Sequence, residues 1–464
     1  MSLERVILCG MILLLACCIT FFFCRRMLLA FDIVITLMLT LVAFPLPIAS
    51  PFSEGVNADL PLYEVLTPIL GLCVLVKMAA GKARVPSNGL SKLLFMWFLL
   101  VVVTYCRHPV FLGDLFAAGG TGAIYHTLYP LCLCALIFLC TACILNTRAR
   151  IVHATKLVCV VMILGLGVMT FMLLTGIDVP LLTGGRGPWT VMQIPTGNET
   201  VYRSIAMSTY GADLYLALMC FGYRLSKVWQ GTLGALLVVP TVIGGGRTAV
   251  ITLIIYIVLG LWLRLRSARI VFHTVAAMVA ITALALCVGM RVPRTATRVT
   301  DFSTDSRVGI GGRMEMFMMA IQPIMDRPFM GYGYGGLWTA RGNQEISNQV
   351  ASGNAHAGVL AVMLCYGLVG LGTFLSCLTA AIWMARQLYQ RVQDAFLRDL
   401  MLWIALHLAG LFVVFFLSVE VEKYRLVYLD MGVICVVCGL CAQTSAARPL
   451  LSCGPAWRQL HGTR

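Results

Sequence analysis

Apolar stretches of about twenty residues recur from one end of this sequence to the other. A helix needs about 20 predominantly apolar residues to cross the hydrocarbon core of a bilayer. Of the 464 residues, 60% are hydrophobic and only 11% are charged, which is too little charge to cover a soluble surface. The pattern predicts an all-α fold, a single integral membrane domain over residues 1–464 with about 12–14 transmembrane helices.

Thirteen apolar spans can be assigned, at 5–23, 28–48, 62–79, 91–106, 128–145, 152–174, 205–223, 229–244, 247–263, 270–290, 356–384, 396–418 and 425–443. Two long segments, 175–204 and 291–355, separate them. The first span lacks a basic leading region and a small-residue cleavage site, so we expect it to be a retained span.

The basic residues predict the sidedness of the chain. Of its 34 lysines and arginines, 20 flank alternate connections or lie in the C-terminal tail. The positive-inside rule makes that side cytoplasmic, with the N-terminus outside, the C-terminus inside and both long segments on the side away from the cytoplasm. The same rule accounts for the net charge of +15 without a nucleic-acid partner.

Seven arginines and no lysine lie between residues 291 and 341, on the side where topology disfavours basic residues. Either they are solvated loop charges balanced by nearby carboxylates, or their planar guanidinium groups recognise phosphate. Three further arginines are predicted on the same side: Arg203, Arg247 and Arg425. Charge at a membrane boundary is costly and often functional, although Arg247 could simply mark a turn.

His356 opens a predicted span directly after the arginine-rich segment. A helix N-terminus disfavours the imidazolium, and a neutral imidazole can accept a proton as a general base must. The alternative is an ordinary interfacial histidine. His407 lies inside a span, where we expect it to pack against or bond to a neighbour.

Two patterns suggest cofactor or metal sites only formally. Gly331, Gly333 and Gly336 fit a dinucleotide-binding spacing, but no strand precedes them, so we expect them to let the backbone pack against helices. The segment before them, Arg313 to Met325, is predicted to be helical up to a break at Pro328.

The 19 cysteines lie nearly all in apolar spans and are interpreted as small hydrophobic residues. We expect no cofactor and no metal site.

Four stretches, in this order, resemble the O-antigen ligase/polymerase superfamily of bacterial envelope glycan enzymes: Tyr202 to Asp213, Gly246-Arg247-Thr-Ala, Gly312-Arg313-Met-Glu-Met-Phe with Asp326 to Trp338, and Asn354-Ala-His356-Ala-Gly with Gly367 and Gly370. The resemblance covers roughly residues 200–440. Ala357 stands where the family often has Asn, and Gly246 where it has Ser, which leaves acceptor binding open.

The resemblance implies a metal-independent glycosyltransferase of the inner membrane with its active site facing the periplasm. The donor would be an undecaprenyl-diphosphate-linked glycan, and His356 would be the catalytic base. The diphosphate- and substrate-binding residues would be Arg203, Arg247, Arg313 and Arg425. Membrane lipids, a chain-length regulator and a flippase are the further partners implied.

The Gly-Tyr-Gly-Tyr-Gly-Gly-Leu-Trp run resembles exopolysaccharide polymerases, which favours joining exopolysaccharide or O-antigen repeat units. One alternative is an O-antigen ligase that uses lipid A-core as acceptor. An alternative of another class is a flippase or other transporter of lipid-linked glycan. A transporter would need charges in mid-span and near-symmetric halves, and the sequence has few mid-span charges. A purely structural scaffold would not need His356 beside the arginines.

Overall fold

The computed structural model describes residues 62–107, 128–175, 192–196, 199–203, 205–222, 225–243, 247–265, 310–333, 358–417 and 425–447. Its helices are α1 (Leu62–Ala79), α2 (Gly89–Arg107), α3 (Leu128–Ile144), α4 (Arg148–Thr175), α5 (Ile205–Phe221), α6 (Lys227–Ile243), α7 (Arg247–Leu265), α8 (Ile310–Asp326), α9 (Gly358–Arg391), α10 (Ala395–Leu417) and α11 (Arg425–Ala447). The predicted all-α bundle is confirmed. The predicted spans 5–23, 28–48 and 270–290 lie outside the described residues.

Four of the described helices are long and apolar enough to cross a membrane by length and composition: α4 over Arg148–Gly167, α9, α10 over Ala395–Phe416 and α11 over Arg425–Gln443. Each coincides with a predicted span. α9 extends past the predicted end at residue 384 to Arg391. The apolar run stops before Arg386, the first charged residue. The helix continues to Arg391 because one of its faces, with the buried Leu388, still packs against the bundle.

Aromatic residues form the centre of the main core. Trp97 of α2 packs against Tyr366 and Phe374 of α9, with ring centroids 5.1 Å apart in both pairs. Its indole N–H donates a buried hydrogen bond of 3.1 Å to the Tyr428 hydroxyl of α11. Phe374 in turn packs against Phe415 of α10 at 5.3 Å. These contacts hold α2, α9, α10 and α11 together.

A β-hairpin lies within the segment 175–204, which is predicted from the sequence to be a long loop. Strand β1 (Met192–Thr196) pairs antiparallel with β2 (Glu199–Arg203), and Met192 lies opposite Arg203. A search for apolar stretches of about twenty residues cannot detect strands of 5 residues. The signal was the Gly197-Asn198 pair between two runs rich in branched and aromatic residues, a combination typical of a hairpin turn.

Candidate functional site

The structure places four of the five predicted site residues at the ends of elements. Arg203 is the last residue of β2, directly before α5, and Arg247 and Arg425 are the first residues of α7 and α11. Arg313 lies in the first turn of α8. His356 lies outside the described residues, two positions before α9 begins.

Arg247 and Arg425 begin α7 and α11, and Arg203 lies two residues before α5; these three helices begin at the same end of the bundle. α5 runs antiparallel to α10, because Phe221 stacks on Phe396 at 5.3 Å while Asp213 faces His407.

α7 also runs antiparallel to α10, since Gly260 approaches Leu406 whereas Gly410 approaches Tyr256. α11 follows α10 after residues 418–424, a connection too short to reach the opposite end of a helix about 34 Å long. The chain at Arg203, Arg247 and Arg425 is therefore gathered at one end of the bundle.

Below that end lies a buried polar network that joins four helices. The Tyr256 hydroxyl of α7 donates to Oδ1 of Asp213 in α5 at 3.2 Å. Nδ1 of His407 in α10 lies 2.5 Å from Oδ2 of Asp430 in α11, and its Nε2 lies 3.9 Å from Oδ1 of Asp213. The side chains of Asp213 and His407 are only 5% and 8% exposed. We call Asp213, Tyr256, His407 and Asp430 the buried network.

The buried network borders a small cavity of about 50 Å³, which has room for a few water molecules. Asp213, His407, Asp430 and Trp403 are among its lining residues. Oδ2 of Asp213 and the indole nitrogen of Trp403 are buried and have no hydrogen-bond partner among the described residues. The cavity is too small to be a glycan-binding pocket.

The expectation that His407 bonds to a neighbour is confirmed, but its partners Asp430 and Asp213 were not predicted. Asp213 closes the first of the four quoted stretches and Asp430 lies inside the last span, and neither was given a role. An acidic residue inside an apolar span was the available signal, since such residues pair with one another or mark functional sites. The spacing of these residues along the chain does not indicate that α5, α10 and α11 bring Asp213, His407 and Asp430 together.

A second feature positions α8. After its last residue the chain continues into a glycine turn, residues 327–333, in which Gly331 and Gly333 have φ of 60° and 66°. This turn packs against a break in α9, where Gly367 adopts φ 63° and ψ −162°.

Backbone hydrogen bonds are exchanged at the break. In a regular helix the Leu364 carbonyl would accept from the Leu368 amide. Here it accepts from the Tyr332 amide at 2.8 Å, and the Leu368 amide donates to the Pro328 carbonyl at 2.7 Å. The Val369 amide likewise donates to Phe329 at 3.1 Å. The glycine turn thus supplies partners that the broken helix lost.

Close approach explains why glycines occupy these positions. A Cβ atom on Gly331 would lie 2.6 Å from the Leu364 oxygen, and one on Gly333 would lie 2.6 Å from the Thr104 oxygen of α2. The prediction that the glycines allow backbone packing against helices is confirmed for Gly331 and Gly333, and Gly336 lies outside the described residues. The turn therefore fixes α8, which carries Arg313, to α9, which begins directly after His356.

Comparison with known families gives a match that coincides with this region. Residues 232–375 match the family model described as O-Antigen ligase. The matched segment includes Arg247, Arg313 and His356 and excludes Arg203 and Arg425. None of the curated proteins compared with the chain matches it. The match over residues 232–375 of this multi-pass helical chain supports the resemblance to the O-antigen ligase/polymerase superfamily that the sequence motifs predicted.

Proposed function

We propose that this protein is an inner-membrane glycosyltransferase that moves a glycan from an undecaprenyl-diphosphate-linked donor to an acceptor sugar hydroxyl on the periplasmic face. The observation that carries the proposal is the family match over residues 232–375, because that segment contains Arg247, Arg313 and His356. The match to this family supports a glycosyltransferase type of enzyme.

In the proposed reaction His356 accepts the proton of the acceptor hydroxyl as the oxygen attacks the anomeric carbon of the donor sugar. The bond from that carbon to the diphosphate oxygen breaks, and undecaprenyl diphosphate leaves with the additional negative charge. Arg203, Arg247, Arg313 and Arg425 stabilise this charge, and guanidinium groups suit the task because they bind phosphate oxygens in pairs. The common end of α5, α7 and α11 supports a shared site for three of these arginines.

The acceptor in our proposal is another lipid-linked glycan, so that repeat units of exopolysaccharide or O-antigen are joined. The turn that packs on α9 contains the first three residues of the Gly-Tyr-Gly-Tyr-Gly-Gly-Leu-Trp run on which this preference rests. The alternative within the family, transfer to lipid A-core, uses the same donor and the same leaving group. A chain-length regulator and a flippase would be partners of the polymerase.

One observation favours a function of another class, transport of the lipid-linked glycan. The buried network places two carboxyl groups and an imidazole inside the spans, where few charges were counted from sequence. A transporter, however, needs a continuous polar path for its cargo, and the cavity beside this network is only about 50 Å³. Glycosyl transfer therefore remains the function that these observations support best.

Purified protein in nanodiscs, supplied with a lipid-linked repeat unit, tests the proposal. We expect a ladder of longer lipid-linked glycans without lipid A-core. Glycan that appears only on added lipid A-core would assign the ligase function instead. Movement of the donor between leaflets in proteoliposomes, with no new glycosidic bond, would assign transport and contradict glycosyl transfer.

A further inference from the structure

The buried network lies within the first three helical turns of α5, α7 and α11, beneath the end of the bundle where Arg203, Arg247 and Arg425 gather. Asp213 follows the start of α5 by eight residues, Tyr256 that of α7 by nine, and Asp430 that of α11 by five. At about 1.5 Å of rise per residue, the network lies roughly 8–14 Å below the ends that carry Arg203, Arg247 and Arg425.

The contacts of the network connect these helices in pairs. The bond between Tyr256 and Asp213 joins α7 to α5, and the contact between His407 and Asp430 joins α10 to α11. His407 then links the two pairs through Asp213. Because hydrogen bonds weaken steeply with distance, a slip of one helix by a single residue would break its contact. Buried polar groups are known to fix the register of packed helices in this way.

Charge balance assigns different roles to the two carboxyl groups. One imidazolium can neutralise only one carboxylate, and a second uncompensated charge is costly inside a membrane-spanning bundle. Asp430 lies 2.5 Å from the imidazole and Asp213 lies 3.9 Å away. By this argument His407 pairs with Asp430, and Asp213 is the carboxyl group expected to be neutral. Asparagine should imitate this neutral Asp213 better than it imitates an ionised Asp430.

A further residue links the network to the arginine layer. Tyr210, one turn before Asp213 on α5, is buried and lies within electrostatic range of both the Asp213 carboxyl and the Arg425 guanidinium.

We infer that His407 and Asp430, with Asp213 and Tyr256, are positioning residues for this protein's reaction. They hold α5, α7 and α11 in axial register and so set the relative heights of Arg203, Arg247 and Arg425 around the departing diphosphate. The inference rests on the proposed function, in which those arginines bind the diphosphate.

A double-mutant cycle tests the inference, with undecaprenyl diphosphate as the probe, because this product is the same whichever sugar is transferred. Its Kd is measured for the full-length protein in nanodiscs. If Asp430 acts through Arg425, Asp430→Asn weakens binding about tenfold in the parent protein but less than about twofold in an Arg425→Ala background. Asp430→Glu, which keeps the charge, recovers part of the affinity. Asp213→Asn weakens binding less than Asp430→Asn does.

Tyr428→Phe is the matched control, because it removes a buried interhelical hydrogen bond from the same helix outside the network. Melting temperature and membrane abundance are measured for every variant. Equal losses from Asp430→Asn in both backgrounds, or an equal loss from Tyr428→Phe, would overturn the inference while leaving the proposed function intact. If Arg425→Ala and Arg313→Ala both leave the Kd unchanged, the proposed diphosphate site itself is wrong.

Discussion

The amide of Tyr332 donates its hydrogen bond to the carbonyl of Leu364, a carbonyl that the break at Gly367 releases from its own helix. The bond joins the glycine turn after α8 to the middle of α9. Two segments that carry proposed site residues, Arg313 on α8 and His356 before α9, are thereby joined through backbone hydrogen bonds in addition to the packing of buried side chains such as Ile324 and Tyr332. The joint requires glycine at its closest approaches, Gly331 and Gly367.

Gly367→Ala should therefore destabilise the protein by about 3 kcal/mol or more. An alanine there would be strained at φ 63°, and its Cβ would lie 2.3 Å from the Phe329 carbonyl carbon. Gly372→Ala is the matched control on the same helix, because its Cβ would meet nothing within 4 Å and alanine favours a helix by up to about 1 kcal/mol. Thermal unfolding in detergent measures both. Equal melting temperatures for the two variants would contradict the role of the break.

The helices of this protein were predictable because each apolar span is a local signal. α1 has the predicted bounds, and α5, α7 and α10 differ from them by no more than two residues at either end. The hairpin that ends at Arg203 was not predicted, because its strands are too short to affect hydropathy. The break at Gly367 was not predicted, because the hydrogen bonds lost there are replaced by groups of the distant glycine turn. The apolar pattern on either side of the break is therefore the same as that of a continuous helix.

The buried network shows a different limit to what can be predicted from the sequence. A lone His407 in an apolar span is compatible with simple packing, and Asp213 and Asp430 are each single acidic residues in other spans. Only the three-dimensional packing of α5, α10 and α11 turns these isolated residues into one group. The locations of the arginines at helix ends, by contrast, followed from their place at span boundaries.

Asp394 caps α10, and its removal should destabilise the protein by about 1 kcal/mol. Its Oδ1 accepts from the Leu397 amide at 3.0 Å, and its Oδ2 accepts from Arg148 at 2.5 Å. Asp394→Ala loses both bonds, whereas Asp394→Asn keeps an acceptor for the amide and should cost less. A larger loss from Asn than from Ala, measured by thermal unfolding, would contradict the cap.

The contribution of Asp394 should also depend on pH. Partial burial acts to raise the pKa of its carboxyl, but hydrogen bonds from Leu397 and Arg148 outweigh it and hold the pKa below its ordinary value. A lowered folded pKa means that the stabilisation is present above the unfolded pKa of about 4 and disappears as pH falls through the folded value. The difference in melting temperature between the parent and Asp394→Ala should be constant from about pH 5 to 8 and shrink below about pH 4.

Arg313→Lys should lower kcat/KM for glycan transfer by about 10- to 100-fold. Lysine keeps the charge but loses the planar fork that binds two phosphate oxygens, and a charge-assisted hydrogen bond contributes about 1.5–3 kcal/mol. Arg391→Lys, at the exposed last residue of α9, is the control and should leave the rate unchanged. If lysine at position 313 works as well as arginine, paired phosphate binding by this residue is wrong.

Glycan transfer should persist when divalent metal ions are removed. In the proposed mechanism the guanidinium groups of the arginines provide the positive charge that a metal ion provides in other transferases. The rate with lipid-linked donor in EDTA should equal the rate with added Mg²⁺ or Mn²⁺. Loss of activity in EDTA and its return on addition of either ion would contradict the proposed mechanism.

His356→Ala should abolish glycan extension while the protein remains in the membrane at normal abundance. Removal of a general base lowers a rate by about 10²–10⁴-fold, and no other histidine lies between residue 274 and residue 406 to replace it. His153→Ala is the matched control, because His153 is an exposed histidine on α4 near its cytoplasmic end as predicted from the basic residues. Glycan length on gels and immunoblots of membranes are the measurements. Polymer of parental length in His356→Ala would rule out His356 as the base, and an equal loss in His153→Ala would show that the effect is not specific to the proposed site.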